Sequence, residues 1–189
     1  FPGYTDFNPL VPVWCVTPHR PGCIHRFFDT SPISPSGRYL AVFQMPFEDR
    51  RGEPGESGNV CVIDLETGED RVVAETCGWE AQMGANINWG GSDNELFFND
   101  VDTRTWKPFA WKLNPLSGER QKMEYALYHA SVDGRWLISS NMTTMRKTQS
   151  GYGVPIPIET MRRNRGPATD DGFYITNTST GKSRMLASV

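Results

Sequence analysis

The 189-residue sequence lacks the features that mark membrane proteins and nucleic-acid-binding proteins. No apolar run approaches the roughly 18 residues that a membrane-spanning helix requires. The formal net charge is −3, so there is no overall basic field that would attract nucleic acid. With 38% hydrophobic and 22% charged residues, the chain has instead the composition of a globular domain with a sizeable core.

The common signatures of catalytic and metal sites are also missing. There is no Gly-x-Ser-x-Gly elbow, no phosphate-binding glycine-rich loop and no His-Glu-x-x-His motif. The four cysteines form no Cys-x-x-Cys pair, which argues against a zinc ribbon or a thioredoxin motif. A disulfide that closes the loop from Cys15 to Cys23 and free buried thiols fit equally well. The three histidines show no metal-ligand spacing, so no metal ligands are predicted, and a structural metal ion or other cofactor stays an open question.

The sequence does contain one pattern three times. Each copy is a tight polar turn followed by an alternating or continuous apolar run, which is typical of a β-strand. A second shared block follows each copy, and in it two strand-like runs flank a Thr-Gly or Ser-Gly turn, so that glycine occupies the positive-φ position of a hairpin. The copies are residues 34–43, 90–99 and 131–140, aligned on Leu40, Leu96 and Leu137; the hairpin glycines are Gly68, Gly118 and Gly181; and a further short strand candidate precedes each copy, at 25–34, 81–90 and 125–133.

Each repeat therefore predicts four strands, with no convincing amphipathic helix between them. Four-stranded repeats of this period predict an all-β fold, a β-propeller of antiparallel blades. Because propellers usually have about four to eight blades, three blades predict an incomplete part of a larger ring. A compact three-sheet domain is the alternative architecture. The predicted units are a proline-rich N-terminal arm or closing strand over 1–23 and blades over 24–77, 78–124 and 125–189.

The longest connection in the repeats is the stretch from Asn141 to Gly172 in the third blade. A loop of this length in a compact repeat is usually functional or disordered. Its local excess of positive charge suits an anionic ligand, although a solvated loop is an equally good interpretation. The basic residues of this loop are Arg146, Lys147, Arg162, Arg163 and Arg165.

The leucine alignment also selects candidates for a central channel. It places Asn88 and His129 at one position, together with Pro32, and Asn86 two residues before Asn88, so that each set points the same way from its blade. The candidates at the starts of the first strands are His25, Arg26 and Gln82. For each of the two histidines a hydrogen-bonded structural role is the alternative to catalysis. Tyr152 lies near several arginines, and phenol and guanidinium groups together suit acid–base work and carboxylate binding.

Longer motifs carry a resemblance to a known family. The SPSG-type turns resemble the repeats of TolB-like and prolyl-oligopeptidase-type propellers, which is a loose pattern. The combination of "FNPLVPVWCVTP", "IHRFFDTSPISPSGRYLAVFQMPFEDR", "GWEAQMGANINWG", "FFNDVDTRTWKPF" and "GYGVPIP" is more specific. With it the chain resembles the propeller polysaccharide lyases, most closely the ulvan lyases, with oligogalacturonate lyases as more distant relatives. The similarity spans nearly the whole chain and would cover the first part of a seven-bladed enzyme.

The resemblance implies cleavage of a uronate-containing acidic polysaccharide by β-elimination. That reaction needs a group that neutralises the carboxylate, a base and an acid, and family members use His and Tyr for proton transfer and Arg with Asn or Gln at the carboxylate. On this basis the expected catalytic residues are His129, Tyr152 and His25, and the expected substrate-binding residues are Arg26, Gln82, Asn88, Arg146, Arg162 and Arg163.

The same resemblance sets the expected context of the protein. We expect an extracellular or periplasmic location, an acidic polysaccharide as partner and no binding to nucleic acid or membranes. A second chain or the remaining blades would complete the propeller, and if essential groups lie there, this chain alone is inactive. The alternative function is a non-catalytic propeller module that binds glycan or protein.

Overall fold

The computed structural model describes residues 1–161 and 166–189. Over these residues the chain forms three four-stranded antiparallel sheets, and in each sheet the strands lie side by side in chain order. This confirms the prediction of an all-β fold built from four-stranded antiparallel blades. Blade 1 contains β1 (Cys23–Ile24), β2 (Tyr39–Gln44), β3 (Gly58–Asp64) and β4 (Asp70–Thr76); blade 2 contains β5 (Asn88–Trp89), β6 (Leu96–Asp102), β7 (Lys107–Leu113) and β8 (Arg120–Lys122); blade 3 contains β9 (His129–Ala130), β10 (Trp136–Ser139), β11 (Gly172–Asn177) and β12 (Ser183–Ser188).

The repeats have matching registers in the three blades. The aligned leucines Leu40, Leu96 and Leu137 pair with Ile33, Trp89 and Ala130, which are equivalent positions in the three repeats. The hairpin glycines Gly68, Gly118 and Gly181 have φ angles of 79°, 81° and 73°, a region that favours glycine because it has no Cβ. The repeat alignment and the three glycine-marked hairpins are therefore confirmed.

The core lies between the blades, because alternate side chains of each sheet face opposite neighbours. On one side of blade 2, Leu96 and Phe98 pack against blade 1, and on the other side Phe97 packs against Leu137 of blade 3. All four side chains are fully buried, and each contributes about 1.5–3 kcal/mol to folding. The blade 1 residues in the first interface are Ala41, Phe43, Val60 and Val62.

The first strand of blade 1 differs from its prediction over 25–34. The strand is β1, Cys23–Ile24, and only an isolated bridge from Ile33 to Leu40 falls inside the predicted range. The intervening chain turns, with the Thr30 N–H donating to the Phe27 carbonyl at 3.3 Å, and this turn keeps the buried Arg26 side chain among polar partners. A strand running straight from 25 to 34 would not form this turn.

A short helix, α1 (Met142–Thr148), interrupts blade 3, where no helix is predicted. Asn141 caps it, because its Oδ1 accepts the N–H groups of Thr143 and Thr144. The following chain packs back on the propeller through Val154 and Ile156, which are buried against Val101 of blade 2. In the described part of the chain no helix has the length and apolar character needed to cross a bilayer. The four cysteines are free thiols.

Candidate functional site

Polar groups from chain segments beside the first strand of each blade, β1, β5 and β9, meet in one cluster. At its centre is the guanidinium of Arg26, a residue only 3% exposed. Its Nη1 donates to the Asn86 Oδ1 at 3.3 Å and to the main-chain carbonyl of Tyr128, and its Cζ lies 4.8 Å from the centre of the Tyr128 ring. Its Nη2 donates to the Asp29 Oδ2 at 3.0 Å. A buried cation is stable only with such partners, so Arg26 joins the three blades at this point.

Asp29 also binds His129, and the pair forms the exposed part of the cluster. The Nε2 of His129 lies 3.0 Å from the same Asp29 Oδ2 that Arg26 contacts. Partial burial favours a higher pKa for Asp29, but the Arg26 charge and the hydrogen bonds from His129 and Arg26 together hold that pKa below its ordinary value. The Nη2 of Arg26, which can only donate, lies 3.4 Å from the same ring nitrogen, so the tautomer of His129 decides which of these two neighbours Nε2 hydrogen-bonds. A ring proton on Nε2 donates to Asp29 and leaves the lone pair on Nδ1 in that tautomer.

Glu80 is the second ionisable group of the cluster, and it is 1% exposed. Burial raises the pKa of its carboxyl to about 7, against the lowering influence of the Gly153 N–H, the Asn86 amide and the Arg26 charge. One carboxylate oxygen, Oε2, accepts the Gly153 N–H. The other oxygen and the Nδ2 of Asn86 are buried and reach no well-formed hydrogen bond. Asn86 therefore stands between Arg26 and Glu80 and connects the two charged groups.

The long loop of blade 3 reaches this cluster through the turn around Tyr152. The Gly151 carbonyl accepts the main-chain N–H of Gln82 at 3.3 Å, and the Tyr152 ring meets the Phe27 ring edge-on at a centroid distance of 5.9 Å. Phe27 directly follows Arg26. The predicted catalytic tyrosine is thus held beside the residues that surround Arg26.

Other predicted site residues have different surroundings. Both polar atoms of the buried Asn88 amide bind main chain, since Nδ2 donates to the Asn86 carbonyl at 2.9 Å and Oδ1 accepts the Ala130 N–H at 3.3 Å. The Gln82 and His25 side chains are exposed. Arg146 lies on α1, and its Nη1 is buried without a hydrogen-bond partner among the described residues. Arg162 and Arg163 lie outside the described residues. The predicted roles of all these residues stay predictions.

Sequence reasoning missed Asp29, Glu80 and Tyr128. The three-residue spacing of Arg26 and Asp29 is a weak sign of an ion pair, and Glu80 stands out only as a carboxyl inside an otherwise apolar stretch. Tyr128 contributes a carbonyl and a ring face, which no motif records. Within residues 1–161 and 166–189, no three His, Cys, Asp or Glu side chains come close enough to hold a metal ion.

The chain is similar to solved structures only at a distance. No known family model matches it, and the search of curated proteins gave no significant match. The TolB structure from Agrobacterium tumefaciens is 12% identical with a TM-score of 0.48, over 84% of this chain and 48% of that one. The apo form of the AtxE2 isopeptidase is 12% identical with a TM-score of 0.48, over 88% and 30%. The oligogalacturonate lyase from Vibrio parahaemolyticus is 12% identical with a TM-score of 0.35, over 80% and 51%.

This chain thus spans between 30% and 51% of the length of these three structures. With identities of 12% and TM-scores of 0.48 or less, the likenesses carry no functional argument. The assignment of four-stranded blades depends on the sheets described above.

Proposed function

We propose that this chain carries the proton-accepting part of a lyase that cleaves uronate-containing polysaccharide by β-elimination. The observation that carries the proposal is the Asp29–His129 pair, whose Oδ2 and Nε2 lie 3.0 Å apart. In the proposed arrangement the ring proton lies on Nε2 and donates to Asp29, so that Nδ1 carries the lone pair. The His129 side chain is 34% exposed, so a ligand over the channel can reach it. A histidine base whose other ring nitrogen is hydrogen-bonded to a carboxylate is a recurring arrangement in general-base catalysis.

In the proposed reaction His129 removes the proton on the carbon next to the uronate carboxylate. The electron pair of that C–H bond forms a carbon–carbon double bond, and the adjacent bond to the glycosidic oxygen breaks. Tyr152 gives its phenolic proton to the departing oxygen, so protons and electrons balance. A cation beside the carboxylate stabilises the negative charge that develops there, and Arg146 is a candidate because its Nη1 has no hydrogen-bond partner within residues 1–161 and 166–189.

The substrate follows from the resemblance of the motifs to ulvan lyases. Ulvan is the first substrate to test and polygalacturonate the second. The same proposal includes secretion of the protein and completion of the ring by further blades. The test incubates the protein with each polysaccharide and follows the ultraviolet absorbance of the conjugated uronate that β-elimination creates. Absorbance that rises with wild type and with His19→Ala but not with His129→Ala supports the proposal. Equal rates for the two variants would exclude His129 as the base.

A second candidate function is a non-catalytic module that binds glycan or protein. One observation favours it: the polar side-chain atoms of Asn88 and the Nη1 and Nη2 of Arg26 already bind protein groups. Such a cluster stabilises the fold and leaves fewer free polar groups to bind a substrate. Calorimetric titration with ulvan separates the two functions, because a binding module gives heat of binding with no unsaturated product.

A further inference from the structure

Glu80 lies in a short rigid turn that is fixed to the core. Its main-chain N–H and carbonyl exchange two hydrogen bonds with Gly84, each of 2.9 Å. Gly84 has a φ of 56°, and a Cβ placed on it would lie 2.7 Å from the Cβ of Phe43, so this backbone packs directly on a buried side chain of blade 1. The backbone of the 80–84 turn therefore has little conformational freedom, and this fixes the position of Glu80.

Two contacts join this turn to the Gly151–Gly153 turn of the long loop. The Glu80 Oε2 accepts the Gly153 N–H, and the Gln82 N–H donates to the Gly151 carbonyl at 3.3 Å. The contacts lie on either side of Tyr152, so they fix the backbone before and after it. No other residue could easily replace Gly153, because its φ is 79° and a Cβ there would lie 2.4 Å from the Met142 carbonyl oxygen.

The same carboxyl is connected to the His129 pair through two side chains. Asn86 lies against Glu80 and accepts a hydrogen bond from Arg26, and Arg26 donates to Asp29. Asp29 in turn binds His129. One buried group therefore touches both the turn that carries the phenol and the network that orients the imidazole.

We propose that Glu80 is a positioning residue that clamps the Gly151–Gly153 turn and so sets the position of Tyr152 relative to the Asp29–His129 pair. The clamp stands on the contacts alone, whereas the effect on turnover rests on the proposed function. Removal of the carboxyl leaves the Gly153 N–H without its acceptor, and the turn then opens more often. The strands of the three blades keep their own hydrogen bonds and are unaffected.

Hydrogen–deuterium exchange of the 189-residue chain tests the clamp without any substrate. In Glu80→Ala we expect the amides of 151–154 to exchange about tenfold faster or more, while β2, β6 and β10 keep their wild-type rates. Glu80→Gln keeps an oxygen acceptor but loses its charge, so we expect an intermediate increase of about fivefold. Glu95→Ala is the matched control, since Glu95 also accepts a backbone N–H, that of Gly91, in a different turn.

Three results would overturn the clamp. The first is unchanged exchange at 151–154 in Glu80→Ala, and the second is an equal increase in all three blades, which would mean general support of the fold. If Glu80→Ala does not fold, unchanged exchange at 151–154 in Glu80→Gln is the third. Turnover is measured separately, and we expect the Glu80 variants to have a lower kcat with little change in KM. Absence of lyase activity in the complete enzyme with all its blades counts against the proposed function alone. Faster loop exchange with unchanged turnover counts against the positioning of Tyr152.

Discussion

The imidazole of His129 and the carboxylate of Asp29 lie 3.0 Å apart although 100 positions separate them in the chain. His129 belongs to the first strand of blade 3, and Asp29 belongs to a turn that replaces an expected strand in blade 1. Arg26 binds the same carboxylate oxygen and fixes it in one orientation. Both side chains of the pair are partly exposed to solvent, His129 at 34% and Asp29 at 32%.

The proposed acid and base are tested by His129→Ala and Tyr152→Phe, made in the complete enzyme with all its blades. Loss of one general acid or base usually costs about 10²–10⁴-fold in rate, so each variant should lower turnover by roughly that factor with the fold intact. Initial rates of unsaturated uronate formation measure the effect. His19→Ala, a change in the exposed N-terminal arm, is the control. Near-normal turnover in both variants would assign the chemistry to other residues.

Asp29→Asn tests the orientation of the imidazole. The neutral amide no longer requires a proton on Nε2, and it also loses its ion pair with Arg26. We expect a lower kcat and an altered pH–rate profile with KM nearly unchanged, because the ring turns or takes the other tautomer. The pH profile is the deciding measurement. A variant with a normal profile would show that Asp29 serves only to neutralise Arg26.

Glu80 makes stability depend on pH in a defined window. Its carboxyl titrates near pH 7 in the folded protein and near 4.5 in the unfolded chain, so the folded state binds the extra proton between these values. Stability therefore falls by about 3 kcal/mol as the pH rises through this window and is flat above it. Glu80→Gln should remove the slope in urea unfolding. Asp29, whose pKa is lowered, stabilises the fold until the pH falls below the window of Glu80, so its titration does not mask the slope that Glu80 causes.

Asn99 joins blade 2 to blade 3 and is fully buried. Its side chain donates to the Leu127 carbonyl and accepts the Leu127 N–H, both at 2.8 Å. Asn99→Ala leaves two buried main-chain groups unpaired, so the free energy of unfolding should fall by about 2–5 kcal/mol. Asn94→Ala, at an exposed position of the preceding turn, should change it by less than about 0.5 kcal/mol. Equal urea midpoints for the two variants would contradict the assignment.

Exposed apolar side chains on the outer face of blade 3 indicate that the chain associates with another chain or with further blades. Trp136, Ile138 and Phe173 are 41%, 38% and 49% exposed, whereas the corresponding faces of blades 1 and 2 are covered by the next blade. We expect the 189-residue chain to pair through this face with a second copy or with further blades, and Phe173→Gln to weaken the pairing. Light scattering over a dilution series measures it, with Leu116→Gln as a control at 45% exposure. A wild-type monomer at all concentrations would exclude the association.

The sequence by itself determined the local pattern of this protein. Alternating apolar residues and the hairpin glycines Gly68, Gly118 and Gly181 specify strands and turns through interactions a few residues long, so the repeat and its four-stranded blades could be predicted. The leucine alignment likewise put Asn88 and His129 at equivalent positions, because register follows from the same pattern.

Only the tertiary structure decided which polar groups meet. Arg26 leaves the strand pattern because its buried charge needs Asp29, Asn86 and Tyr128 as partners, and these come from three different blades. Helix α1 forms where Asn141 caps it and blade 2 covers its apolar side, although its sequence alone shows no convincing amphipathic pattern. Glu80 likewise acquires its acceptor role only when the long loop folds back over blade 2. Burial and charge pairing act between positions that are distant in the chain, and short-range sequence patterns do not record them.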